Sequence, residues 1–129
     1  MAGRLTIRDL LKDLRAILEK PDTVVRYTKM DKYAGTGTYD TKPIRNLTIT
    51  LDPRWHGCVQ VVLHELLHVY MDERLGMRSS LSDTIEEEAI LAWETQLRKY
   101  LARRPTLNNE WYLAIQRKIR RCKRATRRA

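Results

Sequence analysis

Residues 46–75 read NLTITLDPRWHGCVQVVLHELLHVYMDERL, and the change of period inside this stretch decides the architecture. Asn46-Leu47-Thr48-Ile49-Thr50-Leu51 alternates strictly, the two-residue period of a half-buried strand with Leu47, Ile49 and Leu51 facing inward. Asp52-Pro53 stops that strand. From Gly57 to about Leu75 the period lengthens to that of a helix, and Gly76 is a favourable C-terminal stop.

Working outward, the rest of the chain fits around this pair. Thr6 can cap a first helix whose buried stripe is Leu10, Leu11, Leu14, Ile17 and Leu18, and Pro21-Asp22 ends it. Val24-Val25-Arg26-Tyr27 is a short strand, and residues 31–46, with Gly35, Gly37 and Pro43 among polar residues, form a loop or an irregular hairpin. Downstream, a helix runs from about Thr84 to Leu101 and is broken by Pro105. A last helix, roughly Asn109 to Cys122, carries Trp111, Ile115, Ile119 and Cys122 on one stripe. The expected fold class is α+β: one helix, a small sheet, then three helices. Residues 1–104 are expected to form the domain, with 105–129 a basic helix and tail packed on it or extending from it.

With 129 residues the chain is one domain long and can bury a core without staples. No apolar run is long enough to span a bilayer, and MAGRLTIRDLLKDLRAILEK at the N-terminus lacks the unbroken apolar core of a signal peptide. A cytoplasmic location and no membrane association are expected. Cys58 and Cys122 are too few for a disulfide framework and are expected to be free thiols on helices.

The net charge of +9 is unevenly placed. Residues 1–97 hold 13 of the 25 Lys/Arg and 15 of the 16 Asp/Glu; residues 98–129 hold the other 12 cations and only Glu110. A block of that kind repels itself unless an anion is near, so nucleic acid is an expected partner of the basic C-terminus, a solvated helix face being the alternative.

His64 and His68 are four apart on the apolar helix, which puts both rings on one face, where they can take two vertices of a zinc tetrahedron. Glu65, beside His64, is placed to accept a proton from activated water and pass it to a leaving group. The surrounding helix is strongly apolar, so two histidines and a glutamate within it need a reason; core histidines capping neighbouring carbonyls are the alternative. An alternating strand just before the helix suits an enzyme that holds an extended peptide along a sheet edge.

With its His64-Glu65-Leu66-Leu67-His68 helix, the chain resembles the zincin metallopeptidases over about residues 45–101. Thr48-Ile49-Thr50-Leu51-Asp52-Pro53-Arg54 followed by Val62-Leu63-His64-Glu65-Leu66-Leu67-His68 is similar to the small stand-alone zincins of phages, mobile elements and prokaryotic genomes, SprT-like and ImmA/IrrE-like proteins among them. The resemblance implies a minimal zincin-like domain, a zinc ion, and hydrolysis of a protein or peptide substrate. Metzincin and SprT-like patterns place a third histidine downstream, and here none follows His68, so the gluzincin arrangement with a carboxylate ligand is implied.

Glu86, Glu87 and Glu88 are the candidates for that ligand. Ala89, Trp93, Leu97 and Tyr100 mark the apolar face of their helix; Glu86 falls inside it, whereas Glu87 lies more than about 100° from its centre. Gluzincins resemble one another in placing a small residue three positions after the ligand, which from Glu86 is Ala89. Glu86 is therefore the expected third ligand, a capping box with Asp83 being its alternative role. The family often supports the ligands from four positions after that glutamate; here Ile90 stands there, and Asp72 on the metal helix is the candidate substitute. His56 is a possible pocket residue or an exposed loop histidine, and Tyr33, Tyr39, Tyr70 and Tyr112 are candidate oxyanion donors.

The expected function is thus a zinc metallopeptidase with His64, His68 and Glu86 as ligands and Glu65 as general base. The alternative is a basic nucleic-acid-associated protein whose metal site is structural or vestigial. Glu65 favours chemistry, because a zinc closed by four protein ligands has no use for a carboxylate beside its first histidine.

Overall fold

The computed structural model describes residues 6–29, 35–40, 45–55, 59–75 and 83–128. Four helices, α1 (Ile7–Leu18), α2 (Val59–Leu75), α3 (Asp83–Ala102) and α4 (Pro105–Arg128), accompany three strands, β1 (Val24–Tyr27), β2 (Gly35–Asp40) and β3 (Arg45–Leu51). The α+β class read from the sequence is the observed one.

α1 begins where Thr6 Oγ1 accepts a hydrogen bond from the Asp9 amide at 3.1 Å, relieving one unpaired amide of the first turn. Its far end is held from a distance. Thr23 Oγ1 donates to the Ile17 carbonyl at 2.9 Å, and Lys118 Nζ on α4 donates to the Lys20 carbonyl at 2.7 Å.

The sheet has the order β1-β3-β2. β1 runs parallel to β3 with Val25 opposite Ile49, and β2 runs antiparallel with Gly37 opposite Ile49. Alternation then puts Val25, Leu47, Ile49 and Leu51 on one face, all buried, and Arg26, Thr48 and Thr50 on the other. β2 lies within the segment expected to be a loop or irregular hairpin; it is the hairpin, with a bulge between Thr38 and Asp40. Asn46, at φ 53°, takes the left-handed conformation that asparagine tolerates, and its amide donates to Asp22 Oδ2 at 2.9 Å.

α2 packs against α1, the sheet, α3 and α4, which explains why its sequence is apolar almost all round. Val62, Leu63, Leu66, Leu67, Val69, Tyr70 and Met71 are buried. The stripe Val61, His64, Glu65, His68 and Asp72 is only partly so.

α4 is longer than the expected Asn109–Cys122 helix. The break expected at Pro105 is there, α3 ending at Ala102, and Pro105 itself opens α4, since a first-turn proline gives up no helical hydrogen bond. No glycine or proline interrupts the run to Arg128, and the cations at its C-terminal end favour the helix dipole. Trp111, Ala114, Ile115 and Ile119 join the common core, and Gln116 Nε2 donates to the Tyr27 hydroxyl of β1 at 3.0 Å. Cys122 is half-buried, its thiol donating to the Thr23 carbonyl at 3.9 Å; Cys58 lies outside the described residues. No helix among the described residues is long and apolar enough to cross a membrane.

Candidate metal centre

The partly exposed stripe of α2 brings the two histidines together. Their Nε2 atoms are 3.3 Å apart and the rings meet edge to face. Across the seam, α3 presents Glu87, whose Oε1 is 3.0 Å from His68 Nε2 and whose Oε2 is 3.8 Å from His64 Nε2. One ligand atom from each of His64, His68 and Glu87 can be chosen so that all lie within 4.8 Å of one another, a group able to hold a metal ion.

The other ring nitrogen of His64 is engaged separately. Nδ1 lies 2.9 Å from Glu94 Oε2, and an ionised carboxylate only accepts, so the proton sits on Nδ1. That leaves Nε2 of His64 facing Glu87 and His68. Glu94 thus sets both the tautomer and the ring orientation, as carboxylates do behind metal-ligating histidines.

Exposure is graded across the group. The side chains of His64, His68 and Glu94 are 25%, 23% and 24% exposed, whereas that of Glu87 is 48% exposed. The cluster therefore opens to solvent on the Glu87 side. Glu65 is half-buried on the same stripe, beneath β2. Burial pushes its carboxyl above the ordinary range; His64 and His68 pull it back down, and Glu87 and Glu94 push it up again.

His64, Glu65 and His68 come together as the sequence suggests. Among the described residues, the carboxylate in reach of both imidazoles is Glu87, next to the Glu86 that the sequence argument favoured. Glu86 lies on the same turn of α3, and its side chain is outside the described residues. Helical phase leaves both glutamates at the seam, Glu86 and Glu87 falling on opposite sides of the buried stripe of α3. The buried stripe of α3 is Ile90, Leu97 and Leu101, rotated by roughly 65° from the face drawn through Ala89, Trp93, Leu97 and Tyr100. Ala89, Trp93 and Tyr100 flank that stripe and are only partly buried. Glu87, three residues before Ile90, stands at its edge.

Glu94 was not anticipated. The support to His64 was sought four positions after Glu86 and then on α2 at Asp72, whereas it comes from seven positions after Glu87, two turns along the same face. A search of α3 for carboxylates at that spacing would have found it. Tyr70 is buried against Trp93, ring centroids 6.2 Å apart, and Tyr112 is packed on the core from α4. Tyr33, His56 and the side chain of Tyr39 lie outside the described residues.

Compared with known proteins, the chain matches no family model, no curated protein and no solved structure.

Proposed function

We propose that this protein is a zinc-dependent hydrolase, a metallopeptidase, with His64, His68 and Glu87 holding the ion and Glu65 acting as general base. The observation that carries the reading is the spacing of the donors. Zinc–nitrogen bonds of about 2.0–2.1 Å at tetrahedral angles set ligand atoms about 3.3 Å apart. The two Nε2 atoms are 3.3 Å apart, and the Glu87 oxygens lie 3.0 and 3.8 Å from them.

The residues fit the ion chemically as well. Two neutral imidazoles and a carboxylate form a borderline N/O donor set, and Glu94 keeps His64 in the ligating tautomer. Among the described residues the group supplies three protein ligands, which leaves a position for water or substrate and favours chemistry over a closed structural site. A zinc ion there would acidify a water molecule and polarise a carbonyl. Glu65 takes the proton from that water and returns it to the departing amine; its raised affinity for protons suits a group that must do both near neutral pH. The testing variant is Glu65→Gln, which keeps the shape and the metal ligands. Zinc should remain at one equivalent while hydrolysis of casein falls by at least about 100-fold. Undiminished hydrolysis would reject Glu65 as the base.

Nucleic acid is the proposed partner of α4. Arg117, Arg120 and Arg124 are exposed, on the side of the helix away from Trp111, Ala114, Ile115 and Ile119, while Arg121 pairs with Glu19 at 3.6 Å. At 1.5 Å per residue, Arg117 and Arg124 stand about 10 Å apart along one ridge, a span that covers neighbouring phosphates. Duplex DNA binding should weaken steeply with salt, each neutralised phosphate adding about 0.9 to the log–log slope. Charge reversal at Arg117, Arg120 and Arg124 should flatten that slope, and an unchanged slope would remove α4 from the interface.

A further inference from the structure

β2 approaches α2 through two glycines on one face. A β-carbon built on Gly35 would stand 2.7 Å from Val61 Cγ1, 3.0 Å from the Thr50 carbonyl oxygen and 3.2 Å from Leu51 Cδ2. One built on Gly37 would stand 2.9 Å from Glu65 Oε2, 3.6 Å from its Cβ and 3.7 Å from its Cδ. Two residues of strand and one turn of helix cover similar lengths, so Gly35 and Gly37 fall opposite Val61 and Glu65 in register.

The two contacts differ in kind. At Gly35 the obstruction is a branched core side chain and a backbone oxygen, neither of which can withdraw, so a methyl there costs packing. At Gly37 the three nearest atoms all belong to Glu65. The nearest is the far end of its side chain, and the cheapest relief is for the carboxylate to swing aside.

We propose that Gly37 is a positioning residue for Glu65: the missing β-carbon is the seat of the carboxylate, and any side chain at 37 displaces it while leaving His64, His68 and Glu87 in place. The inference rests on the reading of Glu65 as general base for its consequence, and on geometry alone for the seat. Gly37 pairs with Ile49 of β3, so the strand cannot retreat to make room without giving up its ladder. The same registration holds the carboxylate on the side of α2 that carries the histidines.

The experiment is a double-mutant cycle on the full chain, with Gly37→Ala made in the Glu65 and in the Glu65→Ala backgrounds. Thermal unfolding should show Gly37→Ala lowering Tm beside Glu65, and raising it or leaving it unchanged beside Ala at 65, where the methyl enters vacated space and alanine restricts the unfolded chain. Gly35→Ala should lower Tm equally in both backgrounds. Zinc titration should give one equivalent for Gly37→Ala, and kcat on casein should fall about 10- to 100-fold with KM little changed, the size of effect a misplaced catalytic group produces. Equal Tm shifts in both backgrounds, or a Gly37→Ala protein with wild-type kcat, would overturn the seat. A zinc-loaded wild type that hydrolyses nothing would reject the peptidase reading instead, and the Tm cycle would still report on the seat.

Discussion

One stripe of α3 faces the rest of the molecule, and its two ends differ completely. Towards the C-terminus the stripe is Leu97 and Leu101, both buried to 1% exposure or less. Towards the N-terminus it carries Glu87 and Glu94 on either side of the buried Ile90, and these face two imidazoles rather than leucines. The geometry that lets Leu97 enter the core lets Glu87 and Glu94 reach His64 and His68. The apolar end fixes the distance and phase of the seam, and the polar end uses them.

The contrast is most exposed to the double variant His64→Ala, His68→Ala. Tight zinc binding should be lost altogether, because a lone carboxylate does not hold the ion against water, while far-ultraviolet circular dichroism should keep its helical form, since Leu63, Leu66 and Leu67 carry the packing of α2. Full zinc content in that variant would place the metal elsewhere.

Glu87→Ala comes next in size. Removing one of three ligands should weaken zinc by more than the roughly 10- to 100-fold that loss of a supporting residue costs. The companion variant Glu86→Ala sharpens the result. Strong weakening there, with Glu87→Ala near wild type, would restore the ligand that the apolar face of α3 favours from sequence.

That choice shows where sequence was legible. Leu47, Ile49 and Leu51 alternate without exception, and His64, Glu65 and His68 have a spacing that is itself the local geometry, so β3 and the α2 half of the site could be read directly. Thr6 and the stripe from Leu10 to Leu18 gave α1 for the same reason: one helix turn contains all the information needed. The phase of α3 was harder. Trp93 and Tyr100 are large and apolar, yet they only flank the seam, and the residues at its centre are Ile90 and Leu97 with two glutamates in line. Hydrophobicity locates a buried face only when that face is apolar throughout, and this seam is not. β2 was obscured for a related reason, since Gly35 and Gly37 look like loop residues until α2 is known to lie against them.

A smaller effect is expected for Glu94→Gln. The amide keeps the size of the side chain and can still accept from Nδ1–H of His64, but it removes the charge that makes the ring a better donor at Nε2. Zinc affinity should fall by about 10- to 100-fold, less than for Glu87→Ala, with little change in unfolding temperature of the metal-free protein. If Glu94→Gln weakened zinc as much as Glu87→Ala, Glu94 would have to be a ligand itself, and the division between holding the ion and orienting its holder would fail.

The smallest effect on the metal should come from the largest loss of packing. Leu97→Ala removes a fully buried side chain from the apolar end of the stripe and should cost about 2–5 kcal/mol of stability, depending on how far its neighbours close the gap. Zinc stabilises only the folded state, so its measured affinity falls in proportion to the folded fraction and no further. If most of the protein remains folded, titration should still give one equivalent at nearly the wild-type constant, and zinc should raise the unfolding temperature of Leu97→Ala much as it raises that of the wild type. A drop in zinc affinity well beyond the folded fraction would show that the leucine end sets the spacing of the imidazoles and carboxylates to within a fraction of an ångström. The two ends of the stripe would then be one device, coupled through the rigid body of α3, rather than an anchor with a site beside it.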